Sequence, residues 1–142
     1  MALIAGTLDA AAAIALYAKP VSLHTVAGIF KYIASALFGR KAFSGEPVYL
    51  ITGLTMHYLI AICWTSVYLL FLFRIFKPGF VVAKTILFSC TVWIVMNGIV
   101  LPLCGLTSAH QDAWTIFKSY APILLCIAFP ICFIFEKKSA TI

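Results

Sequence analysis

Between Pro47 and Phe73 the chain carries no acidic or basic side chain except His57. A helix crossing the ~30 Å hydrocarbon core of a bilayer needs about 20 largely apolar residues, and this segment meets that length. Composition supports the reading: 64% of the 142 residues are hydrophobic and 10% are charged, with a mean hydropathy of +1.11. A water-soluble domain this small exposes too much surface to hide that much apolar side chain. A cytoplasmic enzyme, a nucleic-acid binder and a disordered chain are therefore excluded, and an integral membrane protein is expected.

Three further runs fit the same template. Ala2 to Ala18 has Asp9 as its only charge and ends at Lys19-Pro20. A secretory signal would place a basic residue before its apolar stretch, whereas Met1 to Thr7 has none, so this run reads as a mature helix. Phe80 to about Gly105 follows the Pro78-Gly79 turn, with Lys84 close enough to its start to snorkel to the interface. The last span, Trp114 to Phe135, leaves Trp114 and Tyr120 near the headgroups and stops at Glu136-Lys137-Lys138. The expected fold is thus an all-α membrane protein of four transmembrane helices in one domain, residues 1–142.

Residues 21–43 are too polar to cross and too periodic for a loop. Leu23, Val26, Phe30, Ile33 and Leu37 recur at steps of three and four, while His24, Gly28, Lys31 and Ser35 fall elsewhere on the wheel. That pattern predicts an amphipathic helix, interfacial or re-entrant, between the first and second spans.

The formal charge of +6 comes from ten Lys and Arg against four Asp and Glu. At helix ends such residues meet anionic lipid headgroups, and Lys31, Arg40, Lys41, Arg74 and Lys77 are the expected contacts. Four crossings divide the basic residues evenly between the two faces. The crowding of Arg74, Lys77 and Lys84 around one short loop favours both termini inside. The five cysteines form no C-x-x-C pair and sit in apolar surroundings, which predicts small hydrophobes and neither a disulfide framework nor a metal site. No cofactor is expected: a bis-histidine haem needs two His at matching depth, and only His57 is clearly within a span. Ser-His-Asp residue types are present without a placement signal, so no catalytic residue is assigned.

Asp9, His57 and Asn97 are the polar side chains that hydrocarbon does not tolerate without a reason. At 1.5 Å per residue, Asp9 lies roughly 12 Å from Tyr17, His57 roughly 15 Å from Pro47 and Asn97 roughly 10 Å from Cys104, all counted from one membrane face. Asp9 has Ala5, Ala12 and Ala13 around it and His57 has Gly53 and Ala61, small residues that let helices approach closely. Gly98 and Pro102 predict a kink in the third span beside Asn97, because Pro102 cannot donate to the Gly98 carbonyl.

Gly6-Thr7-Leu8-Asp9, Lys31-Tyr32-Ile33-Ala34-Ser35-Ala36-Leu37-Phe38-Gly39 with Ala42-Phe43-Ser44-Gly45, Gly53 with His57, and Val95-Met96-Asn97 leading to Val100-Leu101-Pro102-Leu103 resemble a group of small bacterial inner-membrane proteins, distantly YagU-like. The resemblance covers roughly residues 5–107. It implies a bacterial multi-pass membrane protein and carries no activity with it. The function expected first is an accessory or structural protein whose Asp9, His57 and Asn97 form a buried polar network. The alternative is a proton-coupled transporter or channel subunit in which Asp9 accepts the proton, His57 partners it and Asn97 orients both. A membrane enzyme ranks third. Either leading role is compatible with association into a homo-oligomer or with another membrane protein, and a four-span transporter would need it to enclose a pathway.

Overall fold

Helix is the only regular structure among the described residues of the computed structural model, which are 1–72, 80–106 and 112–139, the side chains of 72 and 135–139 excepted. In chain order come α1 (Ala2–Tyr17), α2 (Leu23–Phe38) and a 3-10 turn over Gly39–Phe43. Then α3 (Pro47–Val67) runs into a π-helical segment, Tyr68–Leu72. A third apolar stretch joins α4 (Val81–Val95), a π segment at Met96–Val100 and the short α5 (Leu101–Leu103). The last joins α6 (Ala113–Pro122), a π segment at Ile123–Ala128 and α7 (Phe129–Ser139).

Three of these stretches, Pro47–Phe71, Val81–Leu103 and Ala113–Ile134, are long and apolar enough to cross a membrane. Their starts lie within one residue of the three longer predicted spans; Phe73 lies outside the described residues, and the last helix continues through Glu136-Lys137-Lys138 to Ser139, past the stop expected at Phe135. The first is shorter: α1 has 16 residues, about 24 Å at 1.5 Å per residue, and falls short of a full hydrocarbon core. Burial is distributed as a membrane protein requires. Leu3, Ile51, Leu59, Val82, Leu103 and Leu125 are exposed, while Ala5, Ala34, Ala61, Ala128 and Ser89 are buried. Large apolar side chains face outward where lipid would lie, and small ones let helices touch. The main core joins Ala5 of α1, Tyr68, Phe88 and Val92, and Ile127, Ile131 and Cys132 of the last helix.

Local chemistry sets the ends of α2. Ser22 accepts from the Thr25 N–H at 3.2 Å, and the Thr25 hydroxyl accepts from the Ser22 N–H at 2.9 Å, a reciprocal cap. At the far end Gly39 adopts φ +56°, a conformation glycine takes without a Cβ penalty. The predicted apolar stripe of α2 is buried unevenly: Leu23 is 92% exposed, Phe30 7% and Leu37 66%. Its middle and its C-terminal end meet α3: the Phe38 ring lies edge-on to Tyr49 at 5.2 Å, and at the middle the contact is intimate, since a Cβ at Gly53 would overlap the Phe30 carbonyl oxygen. Ser35, placed by the sequence pattern on the polar face, is buried and donates to the Tyr32 carbonyl at 2.6 Å, which satisfies its hydroxyl inside the contact.

Lys84 departs from its sequence expectation. In place of reaching back to the interface it is 1% exposed. It shares a helical face with Phe88, one turn on, and α4 turns that face into the core, carrying Thr85, Ser89 and Val92 with it. Tyr120, expected among interfacial aromatics, turns its hydroxyl inward to Ser89 Oγ at 2.8 Å and Cys90 Sγ at 3.4 Å. Trp93 Nε1 donates to Ser119 Oγ at 2.9 Å beside it. These bonds tie the last two long helices together in a setting where water offers no competing partner.

Candidate functional site: a cleft beneath the second helix

Two helices carry the ionisable residues of interest to each other through small residues. A Cβ on Gly6 would lie 3.1 Å from Ala61 Cβ and 3.1 Å from the Tyr58 ring, so α1 and α3 approach as closely as glycine allows. The approach brings His57 Nε2 to 2.8 Å from the Gly6 carbonyl oxygen. A carbonyl only accepts, so Nε2 carries the hydrogen and Nδ1 is the atom at which His57 gains or loses a proton. One residue along, the Thr7 and Tyr58 hydroxyls meet at 3.1 Å. The ring of His57 lies edge-on between Phe30 and Tyr58, at centroid distances of 6.1 and 5.5 Å.

Asp9, His57 and Asn97 all line one open-sided cavity of about 370 Å³ bordered by α1, α2 and the three long helices. Asp9 and His57 interact electrostatically, and Tyr17 and Cys126 are also within reach of the Asp9 charge. Among the described residues no hydrogen bond joins any two of the three. Asn97 Nδ2 instead donates to the Trp93 carbonyl of its own helix at 3.1 Å. The cavity walls are apolar, from Ile33, Ile60, Val92 and Ile123, with the aromatic rings of Tyr17, Tyr32 and Trp64 set into them.

A second cavity of about 700 Å³ adjoins the first and reaches His24, Thr25 and Gly28 on α2. Tyr17, Tyr32, Asn97 and Ser119 border both, whereas Asp9 and His57 border only the inner one. Asn97 therefore stands at the junction and the ionisable pair at the far end. Tyr32 closes the junction from the α2 side: its hydroxyl donates to the Leu106 carbonyl at 2.9 Å. Burial pushes the Tyr32 phenol above its ordinary range, so the hydroxyl keeps its proton and stays a donor at neutral pH. Lys118 is the remaining charged residue at the inner cavity among the described residues, and its ammonium sits 5.2 Å over the Trp114 ring, within electrostatic reach of Asp112.

Gly98 lies within a change of helix type and Pro102 just after it. The segment Met96–Val100 is π-helical, with the Leu101 N–H bonded to the Met96 carbonyl. Gly105 at φ +68° then ends the helix, its N–H on the Pro102 carbonyl at 3.0 Å and the Leu106 N–H on the Leu101 carbonyl at 2.9 Å. That termination leaves the Leu106 carbonyl free to receive Tyr32.

Of the residues expected at lipid headgroups, Lys31 donates to the Ser44 carbonyl at 3.1 Å and so braces the turn into α3. Arg40 and Lys41 are exposed on the 3-10 turn. Arg74 and Lys77 lie outside the described residues. Among the described residues no three His, Cys, Asp or Glu gather as metal ligands. Sequence reasoning missed Gly6, Tyr17, Tyr32 and Lys118 as parts of the site. For the middle pair the available signal was Tyr17 at the end of the first helix and Tyr32 within the amphipathic second. No family model, curated protein or solved structure matches the chain.

Proposed function

We propose that this protein is a small multi-pass membrane protein, of the bacterial inner membrane as the YagU-like resemblance implies, that passes a proton, or a solute coupled to one, through Asp9 and His57. The single observation that carries the reading is that both residues line a cleft and are not locked together. A packing network derives its value from hydrogen bonds between its members. Here His57 spends Nε2 on a backbone carbonyl and Asn97 bonds within its own helix, while Asp9 and His57 line the same cavity with no hydrogen bond between them among the described residues, which supports a proton passing between the two. In this reading Asn97 and Tyr32 control entry from the outer cavity. Four crossings, with α1 tilted little and its short length met by local thinning of the bilayer, complete the topology. Association with a second copy or a membrane partner encloses the open side, and Arg40 and Lys41 meet anionic lipid.

The test is proton flux into proteoliposomes of the purified protein, read with a trapped pH dye under an imposed potential. Flux above empty liposomes, lost in Asp9→Asn at unchanged helix content, is the expected outcome. Absence of flux in the parent protein returns the chain to the accessory role, in which His57 and Tyr58 serve only to hold α1 on α3.

A further inference from the structure

Resting on the reading of Asp9 and His57 as an exchangeable site in a cleft, we infer that the inner cavity binds a hydrophobic monovalent organic cation with Asp9 as its counter-charge. Among the described residues Asp9 is the only carboxylate that lines the cavity. Of the two basic residues there, His57 is neutral whenever Nδ1 is unprotonated, and the Lys118 charge is held over Trp114 near Asp112. An anion entering would meet the carboxylate with no free cation to receive it. A hard metal ion needs several oxygen ligands, and one carboxylate among apolar walls does not supply them. A cation with its charge spread over an apolar body gives up little hydration on entry and gains the aromatic faces of Tyr17, Tyr32 and Trp64. The cavity volume of about 370 Å³ lies within the range of small-molecule sites.

Charge balance links this ligand to the proton. The Asp9 carboxylate is neutralised either by a proton held between Asp9 and His57 or by the bound cation, and both together leave a net positive charge in an apolar cavity. Cation binding therefore releases a proton, and acid weakens binding. The other titratable or charged groups that border the inner cavity or lie near Asp9 are Tyr17 on α1, Tyr32 on α2, Cys104 at the end of the third apolar stretch, and Lys118 and Cys126 on the last. Phenols, thiols and ammonium groups ordinarily titrate well above the mildly acidic range, so the dependence is assigned to the carboxyl and imidazole groups of Asp9 and His57.

The probe pair is tetraphenylphosphonium and tetraphenylborate, equal in shape and opposite in charge, measured by equilibrium dialysis against the purified full-length protein in detergent. Saturable binding of the phosphonium that weakens toward pH 5, with none of the borate, is the expected result. Asp9→Asn should weaken phosphonium binding about tenfold or more, a loss of ~1.4 kcal/mol or more. Ala13→Trp, which fills the cavity while keeping Asp9, should abolish it, and this variant carries the test if Asp9→Asn does not fold. Equal binding of both ions, or phosphonium binding that survives Ala13→Trp, overturns the inference. Phosphonium binding without proton flux would remove the proton step and leave the ligand class standing. Proton flux without phosphonium binding would do the reverse.

Discussion

Glycines decide how closely these helices meet, and two on the same contact path behave oppositely. A methyl group at Gly53 would overlap the Phe30 carbonyl, a backbone atom that cannot swing away. Gly53→Ala is therefore expected to cost about 3 kcal/mol, the upper end of ordinary overpacking. Gly28, on α2 itself, has open space around its Cβ position, and Gly28→Ala is expected to stabilise by about 0.5–1 kcal/mol through helix propensity. Thermal unfolding in detergent of the two variants beside the parent distinguishes these signs. The sequence placed Gly53 one turn from His57, which was enough to expect a small-residue stripe. It held no sign that the partner would be the backbone of Phe30, because that depends on where α2 lands. In the same way Asp9, His57 and Asn97 were legible as residues out of place in hydrocarbon, whereas their separation into a pair and a junction residue was not.

At the level of elements, two of the three π-helical segments precede a proline by a short and equal offset: Met96–Val100 before Pro102, and Ile123–Ala128 before Pro130. A proline ring clashes with the carbonyl four residues back and donates no hydrogen bond. A π turn just upstream widens the helix and moves that carbonyl aside, so the chain passes the proline while remaining helical. Pro102 was readable as a site of disturbance from the sequence. Its resolution as a π turn was not, since it requires knowing which carbonyls have other donors. The start of the last long helix is set by Asp112, whose carboxylate accepts from the Thr115 N–H at 3.2 Å. Hydrogen bonds from Thr115 hold this carboxyl below its ordinary range. A depressed carboxylate stabilises the native state above its unfolded value, and the contribution is lost as pH falls through the lowered one. Protection of the Thr115 amide, its exchange rate taken relative to the intrinsic rate at the same pH, should therefore fall in acid. In Asp112→Ala that protection should be low at every pH, and in Asp112→Asn it should persist without an acid-dependent loss.

For the whole molecule, the distribution of burial answers one question and poses another. Three helices are long and apolar enough to cross, and their large side chains are exposed where lipid would cover them. The short α1 packs on α3 and on the last helix through Ala5 and Gly6, so it belongs to the same bundle. A crossing α1 puts Leu3 and Ser44 on opposite membrane faces. In a cysteine-free background, Leu3→Cys and Ser44→Cys are expected to react with a membrane-impermeant maleimide from opposite sides; labelling of both from one side would mean that α1 does not cross.

By itself the sequence determined the solvent this chain folds in, its helical class, and the starts of its three longest helices, because apolar run length is a local property. It also marked the few polar groups that need a reason to be in hydrocarbon. The tertiary structure alone decided that Asp9 and His57 share a cavity wall, that Lys84 turns into the core and that Tyr32 seals against Leu106. Each of those depends on the rotation and position of one helix against another. Contacts between backbone atoms and small residues fix that relation, and hydropathy does not encode it.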